Sequence, residues 1–252
     1  MKLHKNALIN AHFTDYSVFM HTNENAEIQQ IKQFPLYNYN ENEVFSNIQK
    51  LNSETRTLYS IDDTKVYFHS SKFILQPKLF LDYSFDTEIM KTISYNEKEE
   101  EFFHFDIDED KILTCFFKKD DDNFNIKKDF NSNAKILQIL IQHFGDGIYV
   151  HVHQKMLEII VLKDKTILFY NIFTYNIAND FSYFISNVVN SICLEEENLE
   201  VKIFGRIVEN SELVIQLKKF VPNIEMLSFE SKNMLKAFPI SQHFASIALV
   251  TQ

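Results

Sequence analysis

The stretch that decides the fold begins at Gly147 and runs GIYVHVHQKMLEIIVLKDKTILFYNIFTYNIANDFSYFISNVVNSI, ending at Ile192. Three strand-like runs open it, at 148–153, 156–162 and 167–173. The hydrophobic period then lengthens. Phe181, Phe184, Ile185, Val188, Val189 and Ile192 fall on one face of a helix over 180–194. Beyond the quoted stretch the pattern predicts a strand at 201–204, a helix over 211–220 and a last strand at 224–227. Lys163, Asp164 and Lys165 form a short polar turn, so the runs on either side should pair antiparallel. The passages through the two helices are crossovers, which should be right-handed and leave their strands parallel. The runs 156–162 and 167–173 are apolar on both faces, as central strands covered by helices are.

Three strands, a helix, a strand, a helix and a strand is the order of a ribonuclease-H-like or actin-like lobe. The sequence N-terminal to it reads as a looser version of the same order. Runs 16–21 and 27–36 suggest a hairpin joined through 22–25, where asparagines favour turns. Asn40 is placed to cap a helix bearing Val44, Phe45, Ile48 and Leu51. Strands are expected at 65–69 and 72–76, and Pro77 suits the first position of a short helix holding Leu79 and Phe80. Runs 102–107 and 112–117 pair through Asp108–Asp110. Residues 120–133 are polar with a helical segment, and 134–144 fits a strand or a helix equally well. Gly145 and Gly147 mark a boundary. The expectation is an α/β protein of two ribonuclease-H-like or actin-like lobes, 1–144 and 145–252, each a mixed sheet with flanking helices.

Composition narrows the chemistry. The 252 residues are 45% hydrophobic and 24% charged, ordinary for a packed protein. No apolar run approaches the roughly 20 residues of a membrane span, and His4, Lys5, Asn10, His12 and Asp15 interrupt any signal-peptide core. A cytoplasmic location is the resulting expectation. The net charge of −10 disfavours generic nucleic-acid binding. Cys115 and Cys193 sit among apolar residues and read as buried, reduced thiols. Only 3 glycines accompany 25 phenylalanines. Phosphate-gripping loops need glycine so that backbone N–H groups can approach the anion, and no such loop is written here. The Phe, Asn, Ile, Lys and Tyr bias also suits an A/T-rich coding sequence.

Several residues invite a chemical reading, and each has a blander one. His151 and His153 point the same way on a strand and could share a metal, but no acidic or cysteine partner is fixed near them by spacing. The solvent-facing side of an alternating strand is the preferred reading. Asp106, Asp108, Glu109 and Asp110 lack the glycine and the later glutamate of a calcium loop, which leaves a solvated turn. The runs at 97–101 and 120–122 are likewise solvated. Asp180 precedes the strongest helix and reads as its cap. No Gly-x-Ser-x-Gly elbow is present. No catalytic residue, metal ligand or cofactor is therefore assigned, with Gly205 the one weak cofactor-binding candidate.

The run FYNIFTYNIANDFSY over 169–183, followed by VKIFG at 201–205 and SEL at 211–213, resembles an uncharacterised bacterial family, the domain of unknown function 3822. KVY at 65–67 and FILQPKLF at 73–80 are similar to it too. The matching positions include Asn171, Phe173, Tyr175, Asp180, Phe181, Tyr183 and Gly205. The resemblance implies a two-lobed fold like that of actin, Hsp70 and the sugar kinases. Active members of that superfamily carry an Asp-x-Gly phosphate loop in the first hairpin of each lobe and a Gly-Gly adenosine motif late in the second. Here FMHTNEN at 19–25 and VHQKML at 152–157 hold no glycine, and Phe204-Gly205-Arg206 offers one where two are usual. These departures argue against nucleotide hydrolysis.

The function expected from this reading is a non-catalytic protein-interaction or scaffold module on a degenerate actin-like ATPase fold, with protein partners and no cofactor. The alternative is a nucleotide- or small-ligand-binding switch or phosphotransferase, to which Gly205 and acids such as Asp15 or Asp164 would contribute. A ribonuclease-H-type metal nuclease would need clustered carboxylates on central strands, and the second-lobe strands carry Glu158 but no such cluster.

Overall fold

The computed structural model describes residues 7–12, 16–22, 28–35, 64–80, 91–119, 131–192 and 200–227, with Ser46, Gln49, Lys50, Ser53 and Ala245. The chain divides into two compact units, Met1–Gln138 and Ile139–Gln252.

In the first unit, β1 (Ala7–His12), β2 (Tyr16–Thr22), β3 (Ile28–Pro35) and β4 (Thr64–Phe68) form one sheet in the order β3-β2-β1-β4. β1–β2 and β2–β3 are antiparallel, and β1–β4 is parallel. Val18 and Met20 are fully buried. The β2–β3 hairpin matches the sequence expectation. β1 does not appear in that expectation, yet it is a central strand. The first hairpin of this unit is therefore β1–β2, closed through residues 13–15, and not the one through 22–25. Residues 13–15, including Asp15, lie outside the described residues, as does most of the helix expected after Asn40.

A second sheet of the same unit has the order β5-β7-β6, all antiparallel. It comprises β5 (Phe73–Pro77), β6 (Glu100–Asp106) and β7 (Lys111–Lys118). Pro77 ends β5, and a 3-10 turn over Lys78–Phe80 follows, in line with the expected proline-led short helix. Cys115 is buried in β7. Cys193 and 120–130 lie outside the described residues.

The ambiguous run after 133 is a helix, α1 (Ser132–His143). Asn131 decides it locally: its Oδ1 accepts from the Ala134 N–H at 2.8 Å, an N-cap. Ile136, Leu137, Ile139 and Leu140 are all buried, the spacing of one helical face.

The second unit follows the sequence reading closely. β8 (Gly147–Val152), β9 (Met156–Lys163), β10 (Thr166–Thr174), β11 (Val201–Gly205) and β12 (Ile224–Met226) form one sheet in the order β10-β9-β8-β11-β12. β8–β9 and β9–β10 are antiparallel, while β8, β11 and β12 run parallel. Asp164 and Lys165 join β9 to β10 with φ of 50° and 59°, the type I′ geometry whose twist matches a two-residue hairpin. The helices are α2 (Ala178–Ile192) and α3 (Glu212–Leu217). Phe181, Ile185, Val188, Val214 and Leu217 join Ile148, Val150, Val152, Ile159, Val161 and Ile203 in one apolar cluster.

Two details differ from expectation. β10 is an edge strand, with Leu168 half exposed and a register shift between Ile167 and Phe169. Its apolar residues thus do not make it central. β8 is central, and all six of its residues are buried, including those on the face predicted to meet solvent.

Candidate functional site

In open α/β sheets, ligands bind outside the carboxyl ends of the strands, where the strand order reverses. In the second unit that point lies between β8 and β11. The chain leaves β8 toward β9 and returns across β8 to β11. Gly205 ends β11 opposite Val152, the last residue of β8. Its φ is +99°, and a Cβ there would lie 2.4 Å from Val152 O and 2.8 Å from His151 Cδ2. Gly205 thus has a packing reason to be glycine: the two backbones approach too closely for a side chain.

Main-chain donors at this edge are directed inward. Arg206 N donates to Val152 O at 2.7 Å, and Ile207 N to Gly205 O at 2.7 Å. His153 N donates to Met156 O at 2.8 Å, and Tyr175 N to Lys155 O at 3.0 Å. The Tyr175 hydroxyl donates to His153 O at 2.8 Å. A phosphate site needs several N–H groups converging on one anion. These four N–H groups close the edge instead.

On the sheet face opposite α2 and α3 lies a buried polar cluster. Register places Glu158 of β9 directly across from His151 of β8. His151 Nδ1 lies 2.7 Å from Glu158 Oε1, and His153 Nε2 lies 2.6 Å from the same oxygen. Tyr170 of β10 donates its hydroxyl to Glu158 Oε2 at 2.6 Å. The two imidazole centroids are 4.2 Å apart, and the His151 ring stacks on Phe204 at 4.7 Å and 13°. His151, His153 and Glu158 are each no more than 1% exposed.

This overturns the solvent-facing reading of the two histidines. Strand alternation correctly gave them a shared direction, but the face they share is interior. It also supplies the acidic partner that spacing alone did not identify. A signal was present: a two-residue loop at 154–155 forces 151 opposite 158, and Glu158 is the one charge within Met156–Leu162. On the same face, Tyr149 is fully buried and donates to Gly145 O at 2.5 Å. Burial, and then the nearby Asp146, Glu200 and Glu225, push its phenol above the ordinary tyrosine range.

The other candidates have structural roles. Asp180 sits in the first turn of α2, and its Oδ2 accepts from Asn176 N at 3.0 Å and Ile177 N at 3.3 Å. It caps the helix by reaching back from the third helical position, and is not the residue preceding the helix. Ser211 is the N-cap of α3, accepting from Val214 N. Asp108 Oδ1 accepts from the N–H groups of Asp110 and Lys111, closing the β6–β7 turn, while Asp106 pairs with Lys78 at 2.8 Å. Glu100 pairs with Lys72 at 2.6 Å. Asp164 stands at the end of β9 remote from Gly205, so the two cannot serve one site in this sheet. Residues 120–122 lie outside the described residues.

The β10-β9-β8-β11-β12 order, with its helical crossovers, and the β3-β2-β1-β4 order in the first unit are those of the actin-like ATPase fold. Solved structures agree. A Bacteroides thetaiotaomicron protein with an actin-like ATPase fold and unknown function is similar at 15% identity and TM-score 0.69, over 98% of this chain and 96% of that one. The PilM–PilN type IV pilus biogenesis complex is similar at 11% identity and TM-score 0.62, over 97% and 96%. Residues 5–224 match the model of the family described as "Protein of unknown function (DUF3822)", and the chain belongs to that family. No curated protein matches the sequence. Among the described residues, no helix is long and apolar enough to cross a membrane.

Proposed function

We propose that the protein is a non-catalytic interaction or scaffold module of the cytoplasm, with lobes 1–144 and 145–252, built on an actin-like ATPase fold that has lost its nucleotide chemistry. The observation that carries this reading is the closed carboxyl edge of the second sheet. The N–H groups of His153, Tyr175, Arg206 and Ile207 donate to backbone carbonyls there. The single glycine is consumed by strand packing. Magnesium-nucleotide binding also asks for cationic neighbours around the phosphates, in a chain of net charge −10. A solved structure of the same fold is itself a complex of two proteins, PilM and PilN, which supports a protein partner without naming one.

Calorimetry and thermal shift with Mg-ATP, Mg-GTP and their diphosphates test the reading. The expected result is no affinity tighter than about millimolar, or about −4 kcal/mol, and no hydrolysis. A saturable micromolar response would replace the scaffold with a nucleotide switch.

A further inference from the structure

We propose that His151, His153 and Glu158 bind one divalent transition-metal ion, zinc by donor type, within the second unit. Two imidazole nitrogens and a carboxylate oxygen are a known three-ligand zinc set that leaves a fourth position open. The donors here come from adjacent strands whose pairing is fixed. His151 faces Glu158 in register, and His153 follows two residues later on the same side.

Both imidazole nitrogens already stand beside the same carboxylate oxygen. Zinc–ligand bonds of about 2.0–2.2 Å place neighbouring tetrahedral donors about 3.3 Å apart. His151 Nδ1 and His153 Nε2 now lie 2.7 and 2.6 Å from Glu158 Oε1. Each imidazole needs to retreat by less than about 1 Å to admit the ion. Here two imidazole nitrogens converge on one oxygen, an arrangement that a shared cation could take over.

The surroundings supply the orienting contacts that metal ligands usually have. Tyr170 holds the other carboxylate oxygen at 2.6 Å, and Phe204 stacks on the His151 ring. All three donors are buried, so the ion would enter as the chain folds. The nucleotide reading does not bear on this site, because none of the three donor side chains takes part in the main-chain bonds that close the edge.

The test uses the full chain produced in zinc- or cobalt-supplemented medium and in metal-depleted medium. The expected result is one metal ion per chain after desalting, a higher melting temperature than the depleted protein, and an X-ray absorption spectrum fitted by two imidazole nitrogens and a carboxylate oxygen. Tyr170→Phe leaves all three donors in place and should weaken binding about 10- to 100-fold. Glu158→Gln and His153→Gln should abolish stoichiometric retention. Wild-type protein that holds no metal and melts identically from both media would overturn the proposal. So would a spectrum without histidine nitrogen, or retention that survives Glu158→Gln. If the variants fail to fold, the wild-type metal content and spectrum decide alone.

Discussion

Gly205 and Val152 face each other across β11 and β8 so closely that a Cβ on Gly205 would lie 2.4 Å from the Val152 carbonyl oxygen. Arg206 N then donates to that same oxygen at 2.7 Å. One carbonyl thus accounts for the glycine and accepts one of the four N–H groups that close the edge.

Gly205→Ala should therefore destabilise the protein itself. The residue occupies positive φ, and the added methyl meets backbone, which cannot swing aside as a side-chain tip can. A loss of at least about 2 kcal/mol is expected in urea unfolding. A midpoint within error of wild type would show that the strands separate easily there. A valine at this position cannot serve as a clean test of ligand binding, since it disturbs the sheet first.

Asp180→Ala should lower stability by about 1 kcal/mol through loss of the bonds to Asn176 N and Ile177 N. Asp180→Glu should retain most of the stability, because glutamate is favoured at the third position of a capping box. Asp180→Ser should resemble alanine, its hydroxyl being too short to reach back. Equal rescue by serine and glutamate in thermal melts would return Asp180 to the N-cap position that the sequence suggested.

Val188 is 5% exposed within the stripe that α2 presents to the sheet. Val188→Asp buries an unpaired carboxylate and should cost about 3–5 kcal/mol. Circular dichroism should find most of the helix signal lost well below the wild-type melting temperature. An unchanged melt would mean that the stripe is not the buried face.

Tyr149 provides a pH dependence with a definite sign. Its folded-state pKa is raised above the ordinary tyrosine value of about 10, first by burial and then by Asp146, Glu200 and Glu225. The neutral phenol is the form the fold accepts. Its stabilisation is fully present below pH 10 and is lost as pH climbs from there through the raised value. Tyr149→Phe forfeits the bond to Gly145 O, so it should be about 1 kcal/mol less stable at neutral pH. The gap to wild type should shrink in the alkaline range, where only wild type carries the cost of ionisation. A gap that is constant with pH in urea titrations would rule out Tyr149 as the titrating group.

Much of the second unit was legible because its signals are local. The change from strand to helical period at Phe181 set α2, and the turn at Asp164–Lys165 set the β9–β10 hairpin. Asp180 announced the start of α2, though it acts from inside the first turn. The 134–144 run stayed ambiguous because its apolar spacing fits both periods. Its cap, Asn131, lies three residues upstream of the run. β1 was missed because Ala7–His12 holds one β-branched residue, Ile9, and two alanines, a weak strand signal despite the alternation of Ile9, Asn10, Ala11 and His12; pairing with both β2 and β4 makes it central.

What the sequence determined by itself, then, was the order of elements in 147–227, the crossovers that make β8, β11 and β12 parallel, and the lack of a glycine-rich phosphate loop. Each follows from period, turn chemistry or composition, which neighbouring residues carry among themselves. Tertiary structure alone decided that β10 is an edge, that both faces of β8 are interior, and that the cluster of His151, His153, Glu158 and Tyr170 is buried. Those outcomes depend on which strands lie side by side and on what covers the sheet. Histidine is the residue least able to announce them, because the same imidazole is at home in water and in a buried hydrogen-bonded cluster.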